Sequence, residues 1–316
     1  MRIGVVGVGG VGGYFGGRLA HAGADVAMVA RGDHLRALRH RGLEVRHADG
    51  DFTVRVEASA DPSEIGRCDI VLLCVKSYDT IEAVELLRPL VGDETAVVSL
   101  QNGVDNEQKI ADRLRPDHVM GGAAFIFAHI GGPGVIEQTG GPRQILFGEL
   151  DGSRTTRANL FLDELHRADI DAEVVDDIES VLWDKYAFLC ALAGVTAAAR
   201  LPINELLEVP ESRELFGRIV REVAMVASAE GVELADDIVD QKTAFATTLE
   251  PGSFSSLHHD LSTGHRLELD ALHGELLRRA HRHHLDLPAC GVVYALLKPW
   301  ELANRQSATQ HPLVPA

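Results

Sequence analysis

The run Arg2-Ile3-Gly4-Val5-Val6-Gly7-Val8-Gly9-Gly10-Val11-Gly12-Gly13-Tyr14-Phe15-Gly16 decides the fold. Arg2–Val6 reads as a short buried strand, and 11–21 as a helix opening on glycines. Between them Gly7, Gly9 and Gly12 complete G-x-G-x-x-G, with Gly10 at one of its open places. In this setting the first glycine makes the tight turn, the second lets a pyrophosphate approach the backbone, and the third lets helix pack on strand. The free N–H groups and positive dipole end of the helix favour phosphate. Gly7, Gly9, Gly10 and Gly12 are therefore candidate dinucleotide-binding residues, the alternative being a glycine-rich turn with no ligand.

The strand Asp25–Val29 comes next and runs into Ala30-Arg31-Gly32. An acidic residue here would take the ribose hydroxyls of NAD, whereas the guanidinium of Arg31 suits a ribose phosphate. The expected cofactor is NADP, entering as NADPH. Asp33 keeps NAD open as a second reading, and Arg31 as a solvated charge a third.

Further along, apolar runs at 70–75 and 96–99 alternate with amphipathic stretches at 80–90 and 104–114. That alternation predicts a parallel sheet covered on both faces. Runs at 123–130, 135–138 and 144–147, separated by glycine-proline turns, read as extra strands at one sheet edge. A helix at 154–168 and a strand at 171–175 follow. Beyond Asp177 only helical periodicity remains, at Ile178–Ala199, 211–230, 236–248, 268–283 and 290–302. The fold expected is an α/β Rossmann domain over 1–176, a mainly α-helical domain over 177–306, and a loose tail over 307–316.

At 316 residues the chain is long enough for two cores. Its 46% hydrophobic and 24% charged residues are ordinary for a globular protein, and a formal charge of -17 disfavours nucleic acid and anionic membrane surfaces as partners. Cys68, Cys74, Cys190 and Cys290 form no C-x-x-C pair, which fits a reducing, cytoplasmic setting. The glycines of the first twenty residues argue against a secretory signal, and the apolar run 187–199 is shorter than the ~20 residues a bilayer needs. No membrane segment is expected.

Taken in order, six segments resemble ketopantoate reductases over nearly the whole chain. They are the glycine loop through Gly16; Val29-Ala30-Arg31-Gly32; Cys74-Val75-Lys76-Ser77-Tyr78; Gln101-Asn102-Gly103-Val104; Trp183-Asp184-Lys185; and Glu268-Leu269-Asp270-Ala271-Leu272-His273-Gly274. The resemblance implies NADPH-dependent reduction of a 2-oxo acid to a 2-hydroxy acid, with ketopantoate (2-dehydropantoate) to pantoate the best named candidate, and so a place in pantothenate biosynthesis. It also implies a helical second domain like that of 6-phosphogluconate dehydrogenase. Lys76 would sit by the cofactor phosphates, and Asn102 would reach the nicotinamide and the substrate. Lys185 matches the family's general acid, Glu268 its active-site glutamate and Ser256 its substrate-binding serine. The chemistry agrees, because hydride arriving at a ketone carbon leaves negative charge on oxygen that a cation must stabilise and protonate. Read without the resemblance, Lys76 is an exposed lysine, Asn102-Gly103 a turn, Lys185 a snorkelling lysine and Glu268 a solvated helix-start acid.

The chain departs from the family where asparagines are usual. Four and eight residues after Lys185 stand Leu189 and Ala193, ahead of the serine stands Ser253, and near Pro202 stands Ile203. These positions, assigned to substrate contact, predict a more apolar pocket. An NAD(P)-linked 2-hydroxy acid dehydrogenase for apolar branched 2-oxo acids is therefore the second reading, and a cofactor-binding regulator without catalysis the third. A small-molecule substrate and a homodimer are the expected partners. His281, His283 and His284 lie among arginines with no carboxylate or cysteine at ligand spacing, so no metal is assigned.

Overall fold

The structure, a computed structural model, describes residues 1–310. Contacts divide it into one unit ending at Glu179 and another starting at Ser180.

The first unit runs β1 (Arg2–Val6), α1 (Gly10–His21), β2 (Asp25–Val29), α2 (Gly32–Arg41), β3 (Leu43–Arg46), β4 (Phe52–Val54), β5 (Glu57–Ser59), β6 (Cys68–Leu73), α3 (Thr80–Leu87), β7 (Val91–Ser99), α4 (Asn106–Ala111), β8 (Val119–Gly132), β9 (Val135–Glu149), α5 (Thr156–Arg167) and β10 (Asp171–Val174). Its one sheet has the order β4-β3-β9-β8-β7-β6-β1-β2-β5, with β10 also on β9. The Rossmann half, β7-β6-β1-β2, is parallel throughout. Successive residues of its strands serve opposite faces. Ile3, Val5, Ile70 and Leu72 thus join Phe15, Leu19, Phe147 and Phe161 in one core, while Val6, Val71 and Leu73 join Val84, Leu87 and Ile110 in the other. Burial on both faces explains why these strands read as continuous apolar runs, and each fully buried aromatic is worth about 2–3 kcal/mol of transfer free energy.

The sheet departs from expectation at 120–149. β8 and β9 form one antiparallel hairpin of 14 and 15 residues, and it lies inside the sheet, with β3 and β4 beyond it. The glycines at 140–141 do not end the strand. The ladder absorbs the irregularity as register shifts between Phe125 and Ala128, which is how antiparallel pairs accommodate extra residues. β3, β4 and β5, three or four residues each, carry too little periodicity to be seen beforehand.

The second unit is helical. α6 (Ile178–Ala199) enters it from the first unit, followed by α7 (Ile203–Glu208), α8 (Pro210–Ala229), α9 (Ile238–Thr247), α10 (Ser256–Ser262), a π-helical turn at Asp270–Gly274, α11 (Glu275–Arg282) and α12 (Pro288–Gln310). α6 has the length and apolarity of a membrane span, yet 78% of that window is buried inside the chain, as in a core helix. α8 supplies Phe216, Ile219 and Val223, each 0% exposed. Its buried Glu222 accepts hydrogen bonds from the N–H groups of Ala289 and Cys290, both at 2.8 Å, and so caps α12 with a negative charge at the positive end of the helix. Helix α12 continues to Gln310, so 307–310 are helical rather than loose, and the rest of the expected tail, 311–316, lies outside the described residues.

Candidate active site

In the first unit the loops that follow β1, β2, β6 and β7 leave neighbouring parallel strands at one end of the sheet, since Val6 pairs with Val29 and Leu73, and Leu73 with Ser99. That end is where ligands of open α/β sheets bind. Gly7 has φ +94°, and a Cβ there would lie 2.6 Å from the Val75 nitrogen and 2.7 Å from the Cys74 carbonyl carbon. Any larger residue would push the β1 loop off the β6 loop. A Cβ at Gly12 would meet the Gly7 oxygen at 2.3 Å, and one at Gly10 the Ala128 oxygen at 2.1 Å, so both let α1 close on its neighbours. Gly9 differs. It precedes α1 as its N-cap with no side-chain cap, and nothing lies within 4 Å of where its Cβ would be. Open space over uncapped helix N–H groups fits the phosphates of a dinucleotide.

Arg31 is exposed at the N-cap of α2, directly past the end of β2. Asp33, the residue that kept NAD open, is engaged by Arg36 one turn along the same helix. Lys76 and Asn102 stand in adjacent loops that a buried polar network ties together. Ser77 Oγ donates to the Asn102 carbonyl at 2.6 Å and Asn106 Nδ2 to the same oxygen at 3.0 Å. Gln101 Nε2 donates to the Val75 carbonyl at 2.9 Å and to Thr80 Oγ1 at 2.7 Å, and Thr80 Oγ1 donates to the Ser77 carbonyl at 2.9 Å. Ser77, Thr80, Gln101 and Asn106 are at most 5% exposed. Sequence reasoning gave none of these four a role, although Ser77 and Gln101 lie in segments that carry the resemblance. Their signal was a cluster of small polar residues flanking two apolar strands, where buried side chains must find partners.

In the second unit Lys185, Leu189 and Ala193 share one face of α6 at four-residue spacing. Lys185 is 9% exposed and Ala193 2%, with Leu189 half-buried. Glu268 is 6% exposed, and its carbonyl accepts the Leu272 N–H at 3.1 Å. Burial of a lysine and a glutamate outside the ordinary surface is itself notable, because both charges lose water. Ser256 is exposed as the first residue of α10. Its neighbour Ser255, which sequence reasoning did not select, is the buried N-cap. Its Oγ accepts the His258 N–H at 3.1 Å and shares a 2.8 Å hydrogen bond with Thr196 Oγ1 of α6. Ser253 donates to the Glu250 carbonyl at 2.6 Å, so its hydroxyl serves its own turn, and Ile203 is 0% exposed. His258 stacks on Phe254 at 4.0 Å, and burial, with Arg200 and His259 nearby, holds its pKa below the usual histidine value.

Two family models cover the chain, one described as ketopantoate reductase PanE/ApbA over residues 3–152 and the other as its C-terminal part over 177–301. The chain belongs to the ketopantoate reductase family. Members of this family are nicotinamide-dependent oxidoreductases with a Rossmann-like first domain and a helical second one. The uncharacterized oxidoreductase YkpB of Bacillus subtilis is 29% identical over 301 residues, 95% of this chain and 99% of that one. A crystal structure of a PanE/ApbA family ketopantoate reductase from Ralstonia eutropha superposes with TM-score 0.89 at 31% identity, covering 96% of this chain and all of that one. D-mandelate dehydrogenase, solved with NADH and anilino(oxo)acetate, shares the fold at TM-score 0.88 and 22% identity, covering 96% and 99%.

Proposed function

We propose that this ketopantoate reductase family member reduces a 2-oxo acid to its 2-hydroxy acid with NADPH, ketopantoate being the leading substrate. The observation that carries the reading is Lys185, 9% exposed on an apolar helix and at the position that matches the family's general acid. When bound, NADPH supplies hydride to the ketone carbon. Gly9 and the start of α1 hold the pyrophosphate, Arg31 the ribose phosphate and Lys76 the phosphate end, while Gly7, Gly10 and Gly12 let the loop pack closely enough to do so. Asn102 orients the nicotinamide and the substrate. Lys185 Nζ stabilises the ketone oxygen as it becomes negative and gives it a proton. Glu268 keeps that lysine charged and oriented, and Ser256 binds the substrate. Loss of nicotinamide absorbance on adding ketopantoate tests the reading; no turnover of any 2-oxo acid would favour the regulator instead.

A second substrate reading rests on Leu189 and Ala193. With Ile203 in the core and the Ser253 hydroxyl committed to its turn, few amide or hydroxyl partners remain for a hydroxylated substrate. This favours 2-oxo acids with plain branched or aromatic side chains. The fold shared with D-mandelate dehydrogenase is in keeping with that choice, and with NADH as cofactor. A panel of 2-oxo acids assayed with both cofactors separates the two.

A further inference from the structure

Helix α6 presents two neighbouring ridges, Lys185-Leu189-Ala193 and, one residue on, Tyr186-Cys190-Gly194. The second ridge is the seat of the π-helical turn Asp270–Gly274, which begins two residues after Glu268. Tyr186 is 1% exposed, and its hydroxyl donates to the Leu272 carbonyl and approaches the Ala271 carbonyl at 3.4 Å. At the other end of the ridge, a Cβ on Gly194 would stand 2.9 Å from His273 Nε2, so only glycine lets that imidazole lie against the helix. His273 is 0% exposed, and the Cys190 backbone approaches it without completing a hydrogen bond of ordinary geometry.

The turn is held from the outside as well. Asp270 accepts from Tyr294 at 2.7 Å and from Lys298 at 2.8 Å on each oxygen, and Arg278 donates to the Asp270 carbonyl at 3.0 Å. Within it the Gly274 N–H reaches back five residues to the Leu269 carbonyl at 3.0 Å. Such a register displaces peptide groups from the ordinary four-residue ladder, so it lasts only where side chains from elsewhere take them up.

We propose that Tyr186 is a positioning residue: by holding the Ala271 and Leu272 carbonyls on α6 it fixes where Glu268 stands relative to Lys185, its own neighbour in sequence. This rests on the roles given to Lys185 and Glu268 above. A tyrosine that only fills core would leave chemistry untouched when its hydroxyl is removed, because phenylalanine fills the same space.

The test is Tyr186→Phe in the full chain, measured with NADPH and the fastest 2-oxo acid of the panel, beside its thermal midpoint. Binding of an oxamate, an unreactive 2-oxo acid mimic, to the NADP-loaded chain is read by calorimetry. The expected result is kcat down about tenfold and oxamate binding weakened about tenfold, the scale of one hydrogen bond, with the NADPH Kd within about twofold of native. Gly194→Ala, which presses on the same turn from the other end, should give the same pattern. Native kcat and oxamate affinity in folded Tyr186→Phe would overturn the proposal, whatever the thermal midpoint. Lys185→Ala is run alongside. If it too keeps native turnover, the underlying reading fails and takes this one with it; if it alone loses turnover, only the role of Tyr186 is lost.

Discussion

The Ser77 hydroxyl donates to the Asn102 carbonyl at 2.6 Å, joining the loop after β6 to the loop after β7. Both loops carry residues proposed for the cofactor, Lys76 and Asn102, so on that proposal this bond would set how rigidly the nicotinamide end is held. Removing it leaves the Asn106 amide, which donates to the same oxygen at 3.0 Å.

Ser77→Ala should therefore lower kcat/KM about tenfold and cost about 1–2 kcal/mol of stability, the range for a buried hydrogen bond with one partner deleted. Steady-state kinetics and denaturant melts check both. An unchanged kcat/KM would mean that the Asn102 loop is held without it.

Arg31→Ala should weaken NADPH by about ten- to a hundred-fold and NADH little, since charge-assisted bonds to the ribose phosphate are worth about 1.5–3 kcal/mol. Fluorescence titration of both cofactors decides the matter. Equal losses, or a native preference for NADH, would remove Arg31 from the phosphate site.

Leu189→Asn should shift preference from apolar branched 2-oxo acids towards ketopantoate, by about tenfold in the ratio of kcat/KM values for one added hydrogen-bonding pair. A native chain that turns over ketopantoate readily and ignores the apolar acids would contradict the second substrate reading.

His273 should make the protein acid-sensitive. Burial holds its pKa at about 4, against 6.5 for the free side chain, so between these values the unfolded chain binds the extra proton. Its contribution is complete above pH 6.5 and is lost as pH falls towards 4, by roughly 3 kcal/mol. His34, His47 and His258 are shifted in the same direction, which makes the comparison with His273→Leu the informative one. Going from pH 7 to pH 5, the variant should lose about 2 kcal/mol less than the native chain in urea melts. Parallel losses would show that His273 does not titrate in this window.

The parts of the fold that could be read beforehand are those where one residue pattern admits one structure. Strands β1, β2 and β6, buried on both faces, and the glycines before α1 leave little alternative, and the apolar circumference of α6 marks a core helix. Strands β3 to β5 were hidden by their length, because Leu43 and Val45 alternate with Glu44 and Arg46 for only two periods. The hairpin of β8 and β9 was broken up in reading because glycine signals both turns and bulged strands. At the site, Lys76 and Asn102 were singled out by the resemblance to ketopantoate reductases rather than by their own pattern, and Thr80 and Gln101 are partners only once two distant loops meet. Ser256 was selected because it matches the substrate serine of the family; that its neighbour Ser255 is the buried cap of α10, bonded to Thr196, shows only once α10 meets α6. The π-helical turn left no mark in composition, since it is held from outside by Tyr186 and Gly194 of α6 and by Tyr294 and Lys298 on its Asp270.

The account stands on Lys185 as the proton donor. The direct measurement is single-turnover oxidation of bound NADPH by the preferred 2-oxo acid in Lys185→Ala, with NADPH affinity measured separately. A lost general acid should slow that step by about 10²–10⁴ while the NADPH Kd stays within a few-fold of native. A folded Lys185→Ala chain that oxidises NADPH at the native rate would contradict it, and leave Lys185 a lysine of the helix core with no part in the chemistry.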